Sequence, residues 1–138
     1  DTEVGEKAKN VELGFEHLVL GRINNEYYGI PRISEILGEF KYQAEFFVDV
    51  YEYKLFGEEK YGDICKFLLK NGHTVELHTH PSFFYDKNRI NMYKYSLKEQ
   101  MEIIRNGKDL IKRWTGESPL AHRAGNYGAN NDTIIESK

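Results

Sequence analysis

Two histidines separated by one residue, His78 and His80, close a β-rich run and precede Pro81. Side chains two positions apart in an extended chain point to the same side, so both imidazoles can face one ligand. Two neutral imidazoles and a carboxylate make a suitable site for a divalent ion, with coordination positions left for water. The spacing alone leaves open whether the pair binds a metal or is structural.

Carboxylates and a guanidinium stand at two other places where catalytic groups are expected. Asp1 and Glu3 open the sequence, and Arg123 precedes a glycine-rich turn. A carboxylate beside a metal site can act as a general base towards water, and an arginine can orient that carboxylate. A surface ion pair is the alternative for Arg123. Asp49, near the end of a predicted strand, is a candidate for supporting the site or contacting substrate.

The remaining candidates are predicted to have mainly structural roles. His73 begins a strand after a glycine and is predicted to be structural, whereas His122 is predicted to pack or cap beside the site. Cys65 lies in an amphipathic helical pattern, which predicts a buried thiol, and a single cysteine excludes an internal disulfide. Gly125 and Gly128 are predicted to let the backbone approach a ligand closely.

Alternating helices and strands must position these residues. Apolar positions that recur every three to four residues predict helices over residues 31–42, 58–70 and 96–116, with another near Asn131. β-rich runs predict strands over residues 44–50, 73–78 and 120–123. Ser96 and Glu99 form a capping-box pattern at the start of the third helix. Residues 1–28 and 79–95 are predicted to be irregular.

This alternation predicts an α/β fold with parallel strands joined by right-handed crossovers. Functional groups gather at the carboxyl ends of parallel strands, where His78, His80 and Arg123 are placed. Asp1 and Glu3 can join them only if a strand precedes them. The sequence is therefore expected to form one partial domain, residues 1–138, with its N-terminal strand and C-terminal units missing.

Composition narrows the classes of function. The chain has 40% hydrophobic and 30% charged residues, which is typical of a globular domain. A net charge of -3 without a basic block argues against a nucleic-acid partner. No apolar run is long enough to predict a membrane span. Aromatic residues make up 14%, which indicates either a large core or a sugar-binding surface.

Several short motifs occur in the order found in one known family. They are A-E-F-F-V at residues 44–48, K-N-G-H-T-V-E-L-H at 70–78, T-G-E-S-P at 115–119 and R-A-G at 123–125. Residues 29–127 thereby resemble the polysaccharide deacetylase family, the NodB-homology domain of carbohydrate esterase family 4. The resemblance implies a distorted (β/α) barrel that binds a divalent metal, most often Zn²⁺. It also implies removal of acetyl groups from N-acetylated sugars or polysaccharides, or from O-acetylated ones.

The resemblance also implies roles for individual residues. Asp1 matches the catalytic base and Glu3 the metal-binding carboxylate, in the form of the acidic motif that has one intervening residue. His78 matches the first metal-binding histidine, and Arg123 matches the arginine that orients the base. Tyr127 falls near the position whose backbone N–H helps to hold the oxyanion.

Two departures from the family pattern affect the metal ligands. Ser82 occupies the usual position of the second metal-binding histidine, so His80 must serve instead, as in branches with an H-x-H-P form. Glu3 stands where an aspartate is usual. The narrower likeness is to the branch associated with lipopolysaccharide or capsule synthesis.

Two alternative functions remain open at this point. One is a carbohydrate-binding relative without activity, which the two departures at Glu3 and Ser82 keep under consideration. The other is a metal-dependent hydrolase of the amidohydrolase type, which also carries a His-x-His motif. Those enzymes place the motif on their first strand. Here it falls on the third strand if the missing one is counted, which favours the deacetylase.

Overall fold

Parallel strands form the centre of the protein in a computed structural model that describes residues 1–5 and 11–136. The strands are β1 (Arg22–Ile23), β2 (Glu26–Tyr27), β3 (Glu45–Asp49), β4 (Thr74–Thr79) and β5 (His122–Ala124). The helices are α1 (Val11–Gly14), α2 (Ile30–Glu39), α3 (Tyr53–Phe56), α4 (Glu58–Lys70), α5 (Leu97–Thr115) and α6 (Asn131–Glu136). β1 and β2 form a small antiparallel hairpin, and β3, β4 and β5 form a parallel sheet in that order. This confirms the predicted α/β fold with parallel strands.

The register of the parallel sheet brings distant residues to the same level. Asp49 pairs with His78, and His78 pairs with Arg123. Thr2 forms a parallel bridge to Val48 at the free side of β3. The first residues of the chain therefore lie along the carboxyl end of β3, as the predicted role of the acidic pair requires.

Helices α4 and α5 cover the sheet and bury its apolar side chains. Their inward residues include Tyr61, Leu68, Ile103 and Ile111, all nearly or completely buried. Gly107 lies where α5 crosses β4, and a Cβ added there would come within 2.7 Å of the Leu77 side chain. The absence of a side chain at position 107 therefore lets α5 pack close to the strand that carries His78.

Helix boundaries in this part of the chain follow the predicted signals. Glu99 N–H donates to Ser96 Oγ at 3.4 Å, and Ser96 N–H donates to Glu99 Oε2 at 2.8 Å, so the predicted capping box is present. Gly116 ends α5 with φ 83°, and Gly72 follows α4 with φ 82°. Both glycines adopt the left-handed conformation that terminates helices.

The prediction that residues 1–28 are irregular is wrong for most of residues 11–28. α1 continues into a π-helical turn, Phe15–Val19, and the Phe15 ring packs edge-on against Tyr61 at 5.1 Å between centroids. Asn24 and Asn25 have φ 50° and 67° at the hairpin turn. Consecutive positive φ values are typical of the turns of two-residue hairpins, so the Asn-Asn pair is the local sequence signal of this turn.

Two further segments differ from the prediction. α2 ends at Glu39, and three residues of its predicted apolar face are substantially exposed: Ile33 at 45%, Ile36 at 40% and Phe40 at 65%. Residues 79–95 contain two 3-10 turns, Pro81–Phe83 and Met92–Lys94, and are therefore not wholly irregular. None of the helices in the described residues combines the length and apolar character needed to cross a bilayer.

Candidate metal centre

Three predicted metal ligands converge at the carboxyl end of the sheet. Glu3 Oε2 lies 3.3 Å from His78 Nε2 and 3.0 Å from His80 Nε2. One ligand atom from each of the three residues lies within 4.8 Å of the other two. The two imidazole planes are inclined by 80°, with centroids 5.0 Å apart, so the rings approach the shared point from different directions.

The hydrogen bond behind His78 determines which of its nitrogens faces the centre as a ligand. His78 Nδ1 lies 2.8 Å from the backbone carbonyl oxygen of Arg123. A carbonyl oxygen can only accept, so Nδ1 carries the proton and donates it. Neutral His78 then presents a lone pair at Nε2, as metal-ligating histidines commonly do.

The donor atoms fit a cation. Glu3 Oε2 is buried and receives no hydrogen bond of suitable geometry from the described residues, although both Nε2 atoms are close to it. With His78 neutral and protonated at Nδ1, the lone pair of its Nε2 faces the carboxylate oxygen. A shared cation would satisfy all three atoms, and two nitrogens with one oxygen form a ligand set that zinc accepts.

Protonation of the histidines would satisfy the carboxylate in another way. When the two histidines carry protons at Nε2, their close contacts with the carboxylate, first that of His78 and then that of His80, hold the pKa of Glu3 well below its usual range. Burial alone would lower the pKa of His80, but the hydrogen bond to Glu3 and the charge of Asp49 raise it overall. A proton and a metal ion therefore compete for the same atoms.

Arg123 and Asp1 form an ion pair beside the three ligands. Arg123 Nη1 lies 2.6 Å from Asp1 Oδ1. The guanidinium also lies over the Phe47 ring, with its central carbon 4.0 Å from the centroid. Contacts on two sides fix the guanidinium, which in turn orients the Asp1 carboxylate. Phe47 was not predicted to take part, because an apolar residue in a strand indicates only core.

All six predicted site residues line one cavity of about 210 Å³. Its lining consists of the acidic pair, the histidine pair and the β5 end with the following turn: Asp1, Glu3, His78, His80, Arg123, Ala124, Asn126 and Tyr127. Tyr127 is 98% exposed, and both Asn126 and Tyr127 have positive φ, at 55° and 52°. The structure thus brings the predicted residues together; their individual roles remain predictions.

Asp49 lies behind the site. It is completely buried, and its Oδ1 accepts from the backbone N–H groups of Tyr51 at 3.1 Å and His80 at 3.4 Å. Burial, and then the charge of Glu52, raise the pKa of Asp49 well above its usual range. Asp49 therefore supports the His80 backbone, and its burial argues against the alternative of substrate contact.

The two glycines of the turn have neighbours other than those predicted. A Cβ on Gly125 would lie within 2.5–2.6 Å of three His80 ring atoms, and one on Gly128 would lie 2.7 Å from Asn91 Cβ. The close approach at Gly125 is thus to a candidate metal ligand of this chain. The sequence correctly predicted that the backbone is closely approached at these glycines, but the prediction attributed the close contact to a bound ligand.

The structural residues behave as predicted. Ala44 N–H donates to His73 Nδ1 at 3.3 Å, so the His73 Nε2 proton faces Ser34 Oγ at 2.9 Å. His122 Nε2 lies 3.0 Å from Thr79 Oγ1, and burial lowers the pKa of His122 to about 4. Cys65 is fully buried, which raises the pKa of its thiol to about 12.

Two buried carboxylates were missed by sequence reasoning. Glu76 Oε2 accepts from the backbone N–H groups of Leu120 at 2.8 Å and Ala121 at 2.7 Å, and so fixes the segment that enters β5. Glu52 binds backbone next to Glu3 in a similar way. A glutamate among other charged residues gives no local signal of burial, because the backbone groups that these two carboxylates bind lie more than 40 positions away.

Comparison with known proteins identifies a family profile, described as polysaccharide deacetylase, that matches residues 5–138. No curated protein matches the sequence significantly. Among solved structures, the chain is similar to the peptidoglycan deacetylase PdaC from Bacillus subtilis, with 24% identity and a TM-score of 0.61. That match covers 78% of this chain and 48% of PdaC.

Two other solved structures share the fold. One is a carbohydrate esterase family 4 pseudoenzyme from Bacillus anthracis, with 20% identity and a TM-score of 0.63, covering 78% of this chain and 34% of that one. The other is a putative polysaccharide deacetylase from Mycobacterium smegmatis, with 20% identity and a TM-score of 0.63, covering 78% and 33%. The chain thus spans less than half the length of each of these proteins.

Proposed function

The chain belongs to the polysaccharide deacetylase family, and on that basis we propose that the protein removes acetyl groups from an acetylated sugar or polysaccharide in a metal-dependent hydrolysis. The observation that carries this proposal is the convergence of Glu3, His78 and His80 next to the Asp1–Arg123 ion pair. These are the groups that a metal-dependent hydrolysis needs in one place: cation ligands, a base and a group that orients the base.

Glu3 Oε2 and the Nε2 atoms of His78 and His80 are the proposed ligands, and Zn²⁺ is the proposed ion. Three protein ligands leave coordination positions open, as in catalytic zinc sites. When bound, the ion would supply Lewis-acid polarisation of the acetyl carbonyl. The unsatisfied Glu3 oxygen supports this assignment because a cation would satisfy it.

The other proposed roles belong to residues that line the same cavity. Asp1 accepts a proton from the attacking water, and Arg123 holds the Asp1 carboxylate in a fixed orientation for that transfer. The backbone N–H of Tyr127 helps to hold the oxyanion that forms as the carbonyl is attacked. As the amide or ester bond to the acetyl group breaks, the leaving sugar nitrogen or oxygen takes up a proton, which balances the one that Asp1 accepted from water, and acetate is released.

We also propose that the described sheet is part of a distorted (β/α) barrel. Support comes from the parallel order of β3, β4 and β5 and from the bridge of Thr2 to the free side of β3. The parallel arrangement places the proposed catalytic groups at the carboxyl ends of neighbouring strands, as barrels do. The lipopolysaccharide or capsule branch stays a prediction from the sequence.

The test is acetate release from N-acetylated and O-acetylated oligosaccharides by the purified protein with added Zn²⁺. We expect His78→Ala to abolish release, because one proposed ligand is lost. His17→Ala is the matched control, since His17 is exposed and belongs to the π-helical turn. Full activity in the His78→Ala variant would refute the metal-dependent mechanism.

A carbohydrate-binding protein without catalytic activity is the second candidate. It is favoured by the similarity to the Bacillus anthracis pseudoenzyme, a mutant of which is described as having restored enzymatic activity. Oligosaccharide binding without acetate release, in protein shown to contain zinc, would support this candidate. The family match favours both candidates over a hydrolase of the amidohydrolase type.

A further inference from the structure

We propose that Glu52 is a positioning residue that holds the Glu3 carboxylate at the metal centre by binding the backbone immediately after it. The inference rests on the proposed function, because it assigns Glu3 as a metal ligand. Glu52 lies outside the predicted site residues and does not line the cavity that contains them.

The contacts of Glu52 are short and buried. Its side chain is 0% exposed. Oε1 accepts from the N–H of Gly5 at 2.6 Å, and Oε2 accepts from the N–H of Val4 at 2.7 Å and from the Tyr61 hydroxyl at 2.5 Å. Two consecutive backbone amides are therefore bound by one carboxylate that has no access to solvent.

Glu3 is consequently held on both sides. Before it, Thr2 N–H donates to the Phe47 carbonyl at 2.6 Å, and the Thr2 carbonyl accepts from Asp49 N–H at 3.0 Å. After it, Val4 and Gly5 are bound by Glu52. Gly5 has φ 76°, so the backbone turns at the point where Glu52 binds it. Loss of the second anchor would let the Glu3 backbone shift while the first anchor remained.

The same chain segment links Glu52 to the other half of the centre. Glu52 follows Asp49 by three residues, and Asp49 Oδ1 accepts from His80 N–H at 3.4 Å. The end of β3 and the residues after it therefore contact the backbone of His80, through Asp49, and the backbone immediately after Glu3, through Glu52. Ligand orientation by such outer contacts commonly determines metal affinity.

Glu52→Gln tests the proposal. The glutamine amide nitrogen cannot accept a hydrogen bond, so either Val4 or Gly5 loses its partner. We expect zinc affinity, measured with Zn²⁺ alone in competition with a chromogenic chelator, to fall roughly tenfold or more. In the metal-free protein, we expect the amide protons of Val4 and Gly5 to exchange faster than in the wild type.

Glu76→Gln is the matched control. Glu76 is also a buried carboxylate that accepts two backbone N–H groups, but it holds Leu120 and Ala121, which are not proposed ligands. We expect this variant to lose thermal stability while binding zinc with an affinity within about threefold of the wild type. Equal losses of zinc affinity in the Glu52→Gln and Glu76→Gln variants would overturn the positioning role.

A second variant covers failure of Glu52→Gln to fold. Glu52→Asp keeps the charge and shortens the reach to Val4 and Gly5, so it should also weaken zinc binding. Unchanged zinc affinity in a folded variant whose Val4 and Gly5 amides exchange faster would overturn the proposal. If the wild type itself binds no Zn²⁺, the proposed function fails together with this inference. If the wild type binds Zn²⁺ and the Glu52 variants bind it with the same affinity, this inference alone fails.

Discussion

At the scale of the residue, the candidate centre depends on a few side chains whose ligand atoms are positioned by close contacts with neighbouring residues. His78 is held by the Arg123 carbonyl, and His80 lies between the Asp49 carboxylate behind it and the Gly125 backbone beside it. Glu3 approaches both rings from a different segment of the chain. Small changes next to the ligands should therefore affect metal binding even where they leave every ligand intact.

Gly125→Ala should weaken zinc binding. The new Cβ would lie within 2.5–2.6 Å of three His80 ring atoms, Nε2 among them, so the ring or the turn must shift. We expect zinc affinity to fall roughly tenfold or more in a chelator-competition titration. Gly38→Ala is the control, because no atom of the described residues lies within 4 Å of a Cβ at that exposed position in α2. It should leave zinc binding unchanged and stabilise the helix by about 0.5–1 kcal/mol. Wild-type affinity in a folded Gly125→Ala variant would contradict this expectation.

Protonation of His122 in mild acid should make the metal-free protein less stable. Burial, then the positive charges of His78 and Lys108, lower the pKa of His122 from 6.5 to about 4, so the folded state resists a proton that the unfolded state accepts. The free energy of unfolding should therefore fall as pH decreases from about 6.5 to about 4, by on the order of 3 kcal/mol.

Urea unfolding at several pH values, with a chelator present, measures this dependence. His122→Gln should flatten the decrease between pH 6.5 and 4, because a glutamine does not titrate. His17→Gln should retain it, since His17 is exposed. An unchanged slope in the His122→Gln variant would assign the acid sensitivity to other groups.

At the scale of the element, the site depends on strands whose ends are held in register by the helices behind them. β4 carries His78 and leads into His80, and α5 packs against β4 through the space left by Gly107. α5 is stabilised at its start by the capping box of Ser96 and Glu99. Arg89 reinforces that end through an ion pair with Glu99 at 2.9 Å, and these interactions lower the pKa of Glu99 to about 2.

Ser96→Ala should destabilise the protein without changing its metal affinity. The substitution removes the hydroxyl that accepts from Glu99 N–H, and losses of such caps typically cost about 1 kcal/mol. Chemical denaturation measures the loss, and a zinc titration of the folded variant measures the affinity. Ser118→Ala, at an exposed loop position, should change neither quantity. A zinc affinity that fell together with stability would mean that the start of α5 is coupled to the metal centre.

At the scale of the whole molecule, the proposed metal would join parts of the chain that are far apart in sequence. Glu3 belongs to the first five residues, whereas His78 and His80 belong to β4 and the turn after it. The ion pair between Arg123 and Asp1 adds a third segment. Metal binding should therefore be linked to the stability of the folded chain, because the three ligands meet only in the folded state.

Zn²⁺ should raise the thermal unfolding temperature of the protein, and a chelator should reverse the effect. At a free zinc concentration of 100 times Kd, the expected stabilisation is about 2.7 kcal/mol. The His78→Ala variant should show no zinc-dependent shift. The zinc affinity of the wild type should decrease as pH falls, because protons compete for the imidazoles. A zinc-dependent shift that persists in His78→Ala would place the ion elsewhere.

Some features of this protein follow from the sequence because they depend on neighbours along the chain. α4 lies over the predicted residues 58–70, and the capping box and both glycine terminations of helices are where the local pattern places them. The His-x-His spacing predicts two imidazoles on one side of an extended segment, and both face Glu3. The order of helices and strands was sufficient to predict parallel strands.

Other features are determined only by tertiary structure, because they join residues that the sheet brings together from distant positions. Glu52, Glu76 and Phe47 have no local signal for their contacts with residues 4–5, 120–121 and 123. The three-to-four spacing in α2 predicts an apolar face but does not determine what covers it, and Ile33 and Phe40 remain exposed. Thus the sequence by itself determined which residues could bind a metal, whereas the register between strands decided that their ligand atoms meet.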